Sequence, residues 1–139
     1  SARNDQPWQL VVVDDRELLA RLAHVRELNA WVEGAACAIV IVFPDGVGVT
    51  TPYDEGRLSE RVMLAADALG YGSGTAWYTE DEHFVAVKEL LGVPQEAHLL
   101  SLIAIGRVSD GPAGPPRRPG GRKPLEEIVS YNAFGRRER

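Results

Sequence analysis

A small sheet with helices on its faces, an α/β or α+β sandwich, is the fold class this chain predicts, and three observations carry it. Short β-branched or apolar runs of strand length alternate with stretches whose apolar residues recur every three or four positions. One run, CAIVIVF, is apolar throughout, as in a strand covered on both faces. The 139 residues, 45% hydrophobic and 25% charged, suit a single soluble globular domain able to bury a core.

The polar, turn-like stretch SARNDQPW precedes QLVVV, positions 9–13, the first strand. Asp14, Asp15 and Glu17 then supply an N-terminal capping signal, and Leu18, Leu22, Val25 and Leu28 keep helical spacing. After a short segment around Trp31, AIVIVF at 38–43 is the second strand, closed by Pro44, Asp45 and Gly46. A brief connector, 44–53, leads to a helix starting near Asp54. There Leu58, Val62, Ala65, Ala66 and Leu69 share one face, while Arg57, Glu60, Arg61 and Asp67 fall elsewhere. Gly70 closes it, and the small Ala65, Ala66 and Ala68 make it a central, closely packed helix. Gly72, Ser73 and Gly74 then open space beside the backbone, and Trp77 and Tyr78 fill it. GTAWY, 74–78, is the third strand candidate. A helix that hands its chain to a glycine-rich loop with room for a flat ligand is the main functional hint. Thr79 and Glu82 form a capping-box pattern ahead of Phe84, Val87, Leu90 and Leu91, with Gly92 and Pro94 as the stop. HLLSLIAIG, 98–106, is the last strand. GPAGPPRRPGG, 111–121, reads as an extended, exposed linker, and LEEIVSYNAF, 125–134, as a tail that docks onto something such as a partner subunit. The expected organisation is a core over 1–110 and an extension of the same domain over 111–139.

Charge and composition exclude several functions. A net charge of -5 argues against general affinity for nucleic acid or anionic membrane, both of which rest on excess Lys and Arg. No apolar run approaches the ~20 residues of a membrane-spanning helix, and no signal peptide is visible, so the expected location is the cytoplasm. Cys37, the only cysteine, reads as a small buried hydrophobe and admits no intramolecular disulfide. One cysteine with His24, His83 and His98 fits no zinc spacing, so no metal is expected. GYGSG follows a helix instead of opening one, which rules out a dinucleotide-binding glycine loop. Neither a GxxxxGK(S/T) phosphate loop nor a GxSxG elbow occurs. Arg57, Glu60 and Arg61 read as a solvated or interface helix face. Arg117, Arg118, Arg122 and Lys123 flank the linker, where spacing alone favours solvated charge over a phosphate clamp. Arg136, Arg137 and Arg139 read as a disordered end.

SARNDQPWQLVVV, taken with the central helix and GRKPLEEIV, resembles the FMN-dependent nitroreductase family over nearly the whole chain and in the family's order. The residues that carry the likeness are Ser1, Asn4, Gln6, Pro7 and Trp8, then Leu69 and Gly70 with 72–78, then Arg122 and Lys123. The AWYT stretch is most similar to the family's smaller branches. The resemblance implies an α+β, three-layer sandwich with a small, mostly antiparallel sheet. It also implies a homodimer with FMN sites at the subunit interface and C-terminal tails exchanged between subunits. It places Ser1, Ala2 and Asn4 against the flavin ring from the partner subunit, backbone around Ala76, Trp77, Tyr78 and Thr79 against it from the same subunit, and Arg122 and Lys123 on the phosphate.

Two departures accompany the likeness. Family members carry an upstream helical segment with an RxSxR signature for the phosphate, and this chain starts inside the next motif. The connector at 44–53 leaves little room for the lid of larger relatives, which implies an open, permissive site. The implied function is an FMN-dependent oxidoreductase. Hydride passes in ping-pong fashion from NAD(P)H through the flavin to a nitroaromatic or quinone-like acceptor, and no side chain need serve as a catalytic base. The alternative is a flavin-free dimeric scaffold or regulatory binding module of the same fold.

Overall fold

A computed structural model of the chain describes residues 1, 4–110 and 122–138. The expected linker 111–121, with Arg117 and Arg118 in it, lies outside the described residues, as do Ala2 and Arg139. The chain forms two compact units, Ser1–Ser109 and Asp110–Arg139.

The first unit is built on four strands, β1 (Gln9–Val13), β2 (Cys37–Val42), β3 (Gly72–Trp77) and β4 (Ser101–Gly106). Their order is β1-β2-β4-β3, and every pairing is antiparallel, which makes the fold α+β. Val40 lies opposite both Val11 and Leu102, and Ile39 opposite Val12 and Ile103. Because side chains alternate along a strand, this register sorts Ala38, Val40, Val42, Leu102 and Ala104 onto one face and Ile41, Phe43, Ile103 and Ile105 onto the other. Helices α1 (Arg16–His24) and α3 (Asp81–Leu91) cover the first face through Leu19, Leu22, Ala23 and Val87. Helix α2 (Thr51–Ala68) covers the second through Leu58, Val62 and Met63. The result is three layers, with β2 apolar throughout because both its faces are covered.

Local signals explain most element ends. The Asp15 carboxylate caps α1, accepting from the Leu18 amide at 2.7 Å. Gly92 closes α3 at φ 65°, and Gly70 follows α2 at φ 80°, left-handed conformations that a side chain would strain.

The structure also departs from the sequence reading in several places. Leu28 does not extend α1. It stands exposed in a separate 3₁₀ helix, Glu27–Gly34. Helix α2 begins three residues early, at Thr51, because Pro52 suits a first turn that needs no amide donor there. The expected apolar face of α2 is only half realised, since Ala66 is buried while Ala65, Ala68 and Leu69 are exposed. The capping box of α3 sits one residue later, with the Glu80 amide donating to His83 Nδ1 at 3.4 Å. The last strand begins at Ser101. His98 joins the sheet only through a single bridge to Phe43. The third strand begins two residues before the expected Gly74, so that Gly72 and Ser73 are strand, not loop.

The second unit holds one helical turn, α4 (Leu125–Ile128). Leu125, Ile128 and Phe134 in the expected docking stretch are exposed. Arg136 and Arg137 are ordered by hydrogen bonds. The Arg136 carbonyl accepts from the Tyr131 amide at 2.8 Å, and the Arg137 guanidinium donates to the Val129 carbonyl at 2.7 Å.

Leu22 and Leu28 share one sequence stripe but not one fate, which a pair of truncations separates. Leu22→Ala should lower unfolding free energy by about 2–5 kcal/mol, and Leu28→Ala by about 0.5 kcal/mol or less, in denaturant melts.

Candidate functional site

The chemistry-bearing groups gather around the start of α2 and the end of β3. Pairing of Ala76 with Leu102 and of Trp77 with Ser101 turns the Ala76 methyl into the core under α1 and sends the indole of Trp77 to the α2 face. There the ring is 49% exposed and borders a cleft of about 240 Å³ between α2 and the sheet, together with Pro52, Glu55, Met63, Thr75 and Leu100. The Trp77 carbonyl is fixed from the other side. It accepts from Asn29 Nδ2 and from the Arg26 guanidinium, each at 2.9 Å, and Asn29 is buried. Tyr78 turns inward and is 1% exposed, with its hydroxyl donating to the Leu22 carbonyl at 3.4 Å. Burial pushes its phenol above the ordinary range, because the phenolate would lose its hydration. Thr79 is exposed, and its amide has no partner among the described residues. A clamped carbonyl, a buried ring and a free N–H therefore follow one another at the bend, which offers a preorganised backbone donor to a planar ligand.

Space beside the glycines is already used. A methyl on Gly74 would lie 2.8 Å from the edge of the Trp31 ring, so Gly74 makes room for that indole and not for a ligand.

Two carboxylates are buried near the start of α2, Asp54 in its first turn and Glu55 just after it, each 4% exposed. Asp54 Oδ1 lies 3.4 Å from the Ser1 nitrogen, and its Oδ2 has no partner among the described residues. Glu55 Oε2 accepts from His98 Nε2 at 3.2 Å, whereas its Oε1 has none. The place of both carboxylates near the start of α2 sets them at the positive end of the helix dipole, which favours negative charge. Ser1, Asp5 and Asp54 border a second cleft, with Gly46, Val47 and Thr51. The leading residues and the Trp77 bend thus flank the start of α2 on separate clefts. Asn4 is exposed with φ 62°, and its side-chain oxygen accepts from Gln6 Nε2 at 3.2 Å. Arg122 and Lys123 are exposed in the second unit, and neither has a hydrogen-bond or ion-pair partner among the described residues. No cluster of metal-ligating side chains occurs among the described residues.

Sequence reasoning pointed to the bend and the leading residues but missed Arg26, Asn29, Asp54, Glu55 and His98. Arg26 and Asn29 reach Trp77 across about fifty positions, and Glu55 meets His98 across forty-three, so no local spacing announces either contact. Adjacent acidic residues at a helix start were the one available signal for Asp54 and Glu55, and they read equally well as solvated charge.

Comparison with known proteins follows the same outline. The model of the Nitroreductase family matches residues 23–107, more than half of the chain. A "Putative NADH dehydrogenase/NAD(P)H nitroreductase" of Archaeoglobus fulgidus is 33% identical over 118 residues, 79% of this chain and 66% of that protein. A protein of the same name from Methanothermobacter thermautotrophicus is 27% identical, over 81% of this chain and 61% of its own length. The chain therefore spans just under two thirds of these relatives. An FMN-dependent nitroreductase from Clostridium difficile superposes with a TM-score of 0.79 at 24% identity, over 96% of this chain and 80% of that one, a likeness of fold.

Burial of Tyr78 makes stability depend on alkaline pH. The unfolded chain ionises near the ordinary phenol value of about 10 and the folded chain does not. The raised pKa contributes stability that is complete below about pH 10 and declines above it. Tyr78→Phe, which cannot ionise there, should show a shallower fall in denaturant midpoint between pH 9 and 11 than the unsubstituted protein.

Proposed function

Because the chain belongs to the nitroreductase family, we propose that it is an FMN-dependent NAD(P)H oxidoreductase. The observation that carries this reading is the Trp77–Thr79 bend. Its free Thr79 N–H suits the N5 and O4 edge of a flavin, and Arg26 and Asn29 hold the neighbouring carbonyl in place. FMN, when bound, supplies the hydride chemistry, receiving from NAD(P)H and passing in ping-pong order to a nitroaromatic or quinone-like acceptor. Residues of this chain bind and orient. Ala76, Trp77, Tyr78 and Thr79 present backbone to the ring. Arg122 and Lys123, cations without partners among the described residues, hold the phosphate by charge-assisted hydrogen bonds. Ser1, Ala2 and Asn4 come to the ring from a second copy.

The second copy is part of the reading. Leu64, Ala65, Ala68 and Leu69 leave an apolar, small-residue face of α2 exposed, the surface two copies would share, with the 111–139 extension exchanged between them. The described residues contain no helix long and apolar enough to cross a membrane, and the proposed setting is the cytoplasm.

A purified protein with flavin absorbance between about 350 and 500 nm that bleaches anaerobically with NADPH or NADH supports the oxidoreductase. A colourless protein that takes up no added FMN points instead to the flavin-free scaffold. Replacing Arg122 and Lys123 together by Ala should weaken FMN binding by about 2–4 kcal/mol, measured by flavin fluorescence, and unchanged affinity removes both from the site. Ala65→Arg, a charge on the exposed α2 face, should convert a sedimenting dimer to monomer with loss of bound flavin.

A further inference from the structure

Glu55, like its neighbour Asp54, is a buried group whose chemistry the reading above leaves unused, and it is the one of the two that borders the Trp77 cleft. The residue is 96% buried, yet among the described residues only one of its oxygens has a partner, His98. An unpartnered carboxylate oxygen away from water is costly, and a structure that keeps one has a partner that arrives from elsewhere. Glu55 lines the cleft beneath Trp77, the neighbouring space from which such a partner would come.

The rest of the cleft defines its class. Trp77 offers an exposed indole face, the best aromatic surface for a cation. Pro52, Met63 and Leu100 supply apolar walls for a flat ring, and Glu60 adds a second carboxylate. None of the residues lining this cleft is basic. The nearest basic residues of α2 point away. Arg57 packs over the Tyr53 ring, 5.2 Å from its centroid, and with Arg61 borders the Ser1 groove. The lining therefore carries two carboxylates and no cation, the nearest counter-charge being the Arg26 guanidinium on the Trp77 carbonyl, and it favours a cationic ligand over an anionic one.

We propose that the cleft between α2 and the Trp77 end of β3 binds flat ligands bearing a positive charge or an N–H donor edge. Glu55 Oε1 accepts the hydrogen bond, and Trp77 stacks on the ring. Taken together with the reading of the previous subsection, on which this consequence rests, the site selects cationic over anionic acceptors.

Three pyridines of nearly equal size test the charge preference directly: 1-methylnicotinamide, nicotinamide and nicotinate, carrying one positive charge, none and one negative charge. Binding to the full chain at pH 8 is read by saturation-transfer NMR, which needs no turnover, and bound FMN is measured separately by absorbance. The cation should bind at least about tenfold tighter than the anion, with nicotinamide between them. Glu55→Gln should shrink that ratio to about threefold or less. Glu60→Gln, at an exposed position that leaves the core intact, should narrow it by a smaller factor, and Trp77→Leu should weaken the cation most. Equal binding of the three probes overturns the proposal, as does binding of none, or a ratio that survives both glutamate substitutions. A colourless protein that still ranks the probes by charge keeps the cation site and loses the flavin reading. A flavin-loaded protein that ignores charge does the reverse.

Discussion

The register between β2 and β4 is the constraint from which the other features of this molecule descend. Val40 opposite Leu102 and Ile39 opposite Ile103 commit alternate residues to opposite faces, and a slip of one position would exchange them all. With that pairing fixed, β3 can add to β4 in only one useful phase. Ala76 and the ring of the following Tyr78 enter the core beneath α1 and α3, while Thr75 and Trp77 face α2. The exposed indole of Trp77 is thus a consequence of central pairing two strands away.

Against this frame stands the acidic start of α2. Burying Asp54 and Glu55 costs desolvation, offset for Asp54 by the Ser1 nitrogen and for Glu55 by the His98 imidazole. That neither carboxylate is fully satisfied separates this helix start from an ordinary capped one. Clefts lie on both sides of it, one toward the leading residues and one toward Trp77. The bend at Trp77–Thr79 is the rigid counterpart. Its carbonyl takes two donors, one of them a guanidinium, and its Thr79 amide has no partner among the described residues.

Much of the fold could be read from residues alone where the cause was local. Asp15 caps the helix its position announces, Gly92 ends α3, and 37–42 form the doubly covered strand that a run of Ala, Ile and Val implies. The misses share another cause. Leu28 follows Val25 at helical spacing, but the chain turns into a 3₁₀ helix there, and spacing cannot report a change of pitch. Gly72 and Ser73, beside Gly74, look like a loop because glycine has poor strand propensity. Pairing with Gly106 and Ala104 overrides that propensity, and Trp31 takes the place of the missing side chain.

The sequence by itself determined the sheet's apolar strands, the Asp15 cap of α1 and the family likeness. Each is written in near neighbours or in a motif. Only the tertiary structure decided that Arg26 and Asn29 clamp that bend, that Glu55 meets His98, and that a buried carboxylate oxygen is left over beneath an exposed indole. Those contacts join positions more than forty residues apart, and their strength comes from burial, a property a residue acquires only when the layers close around it.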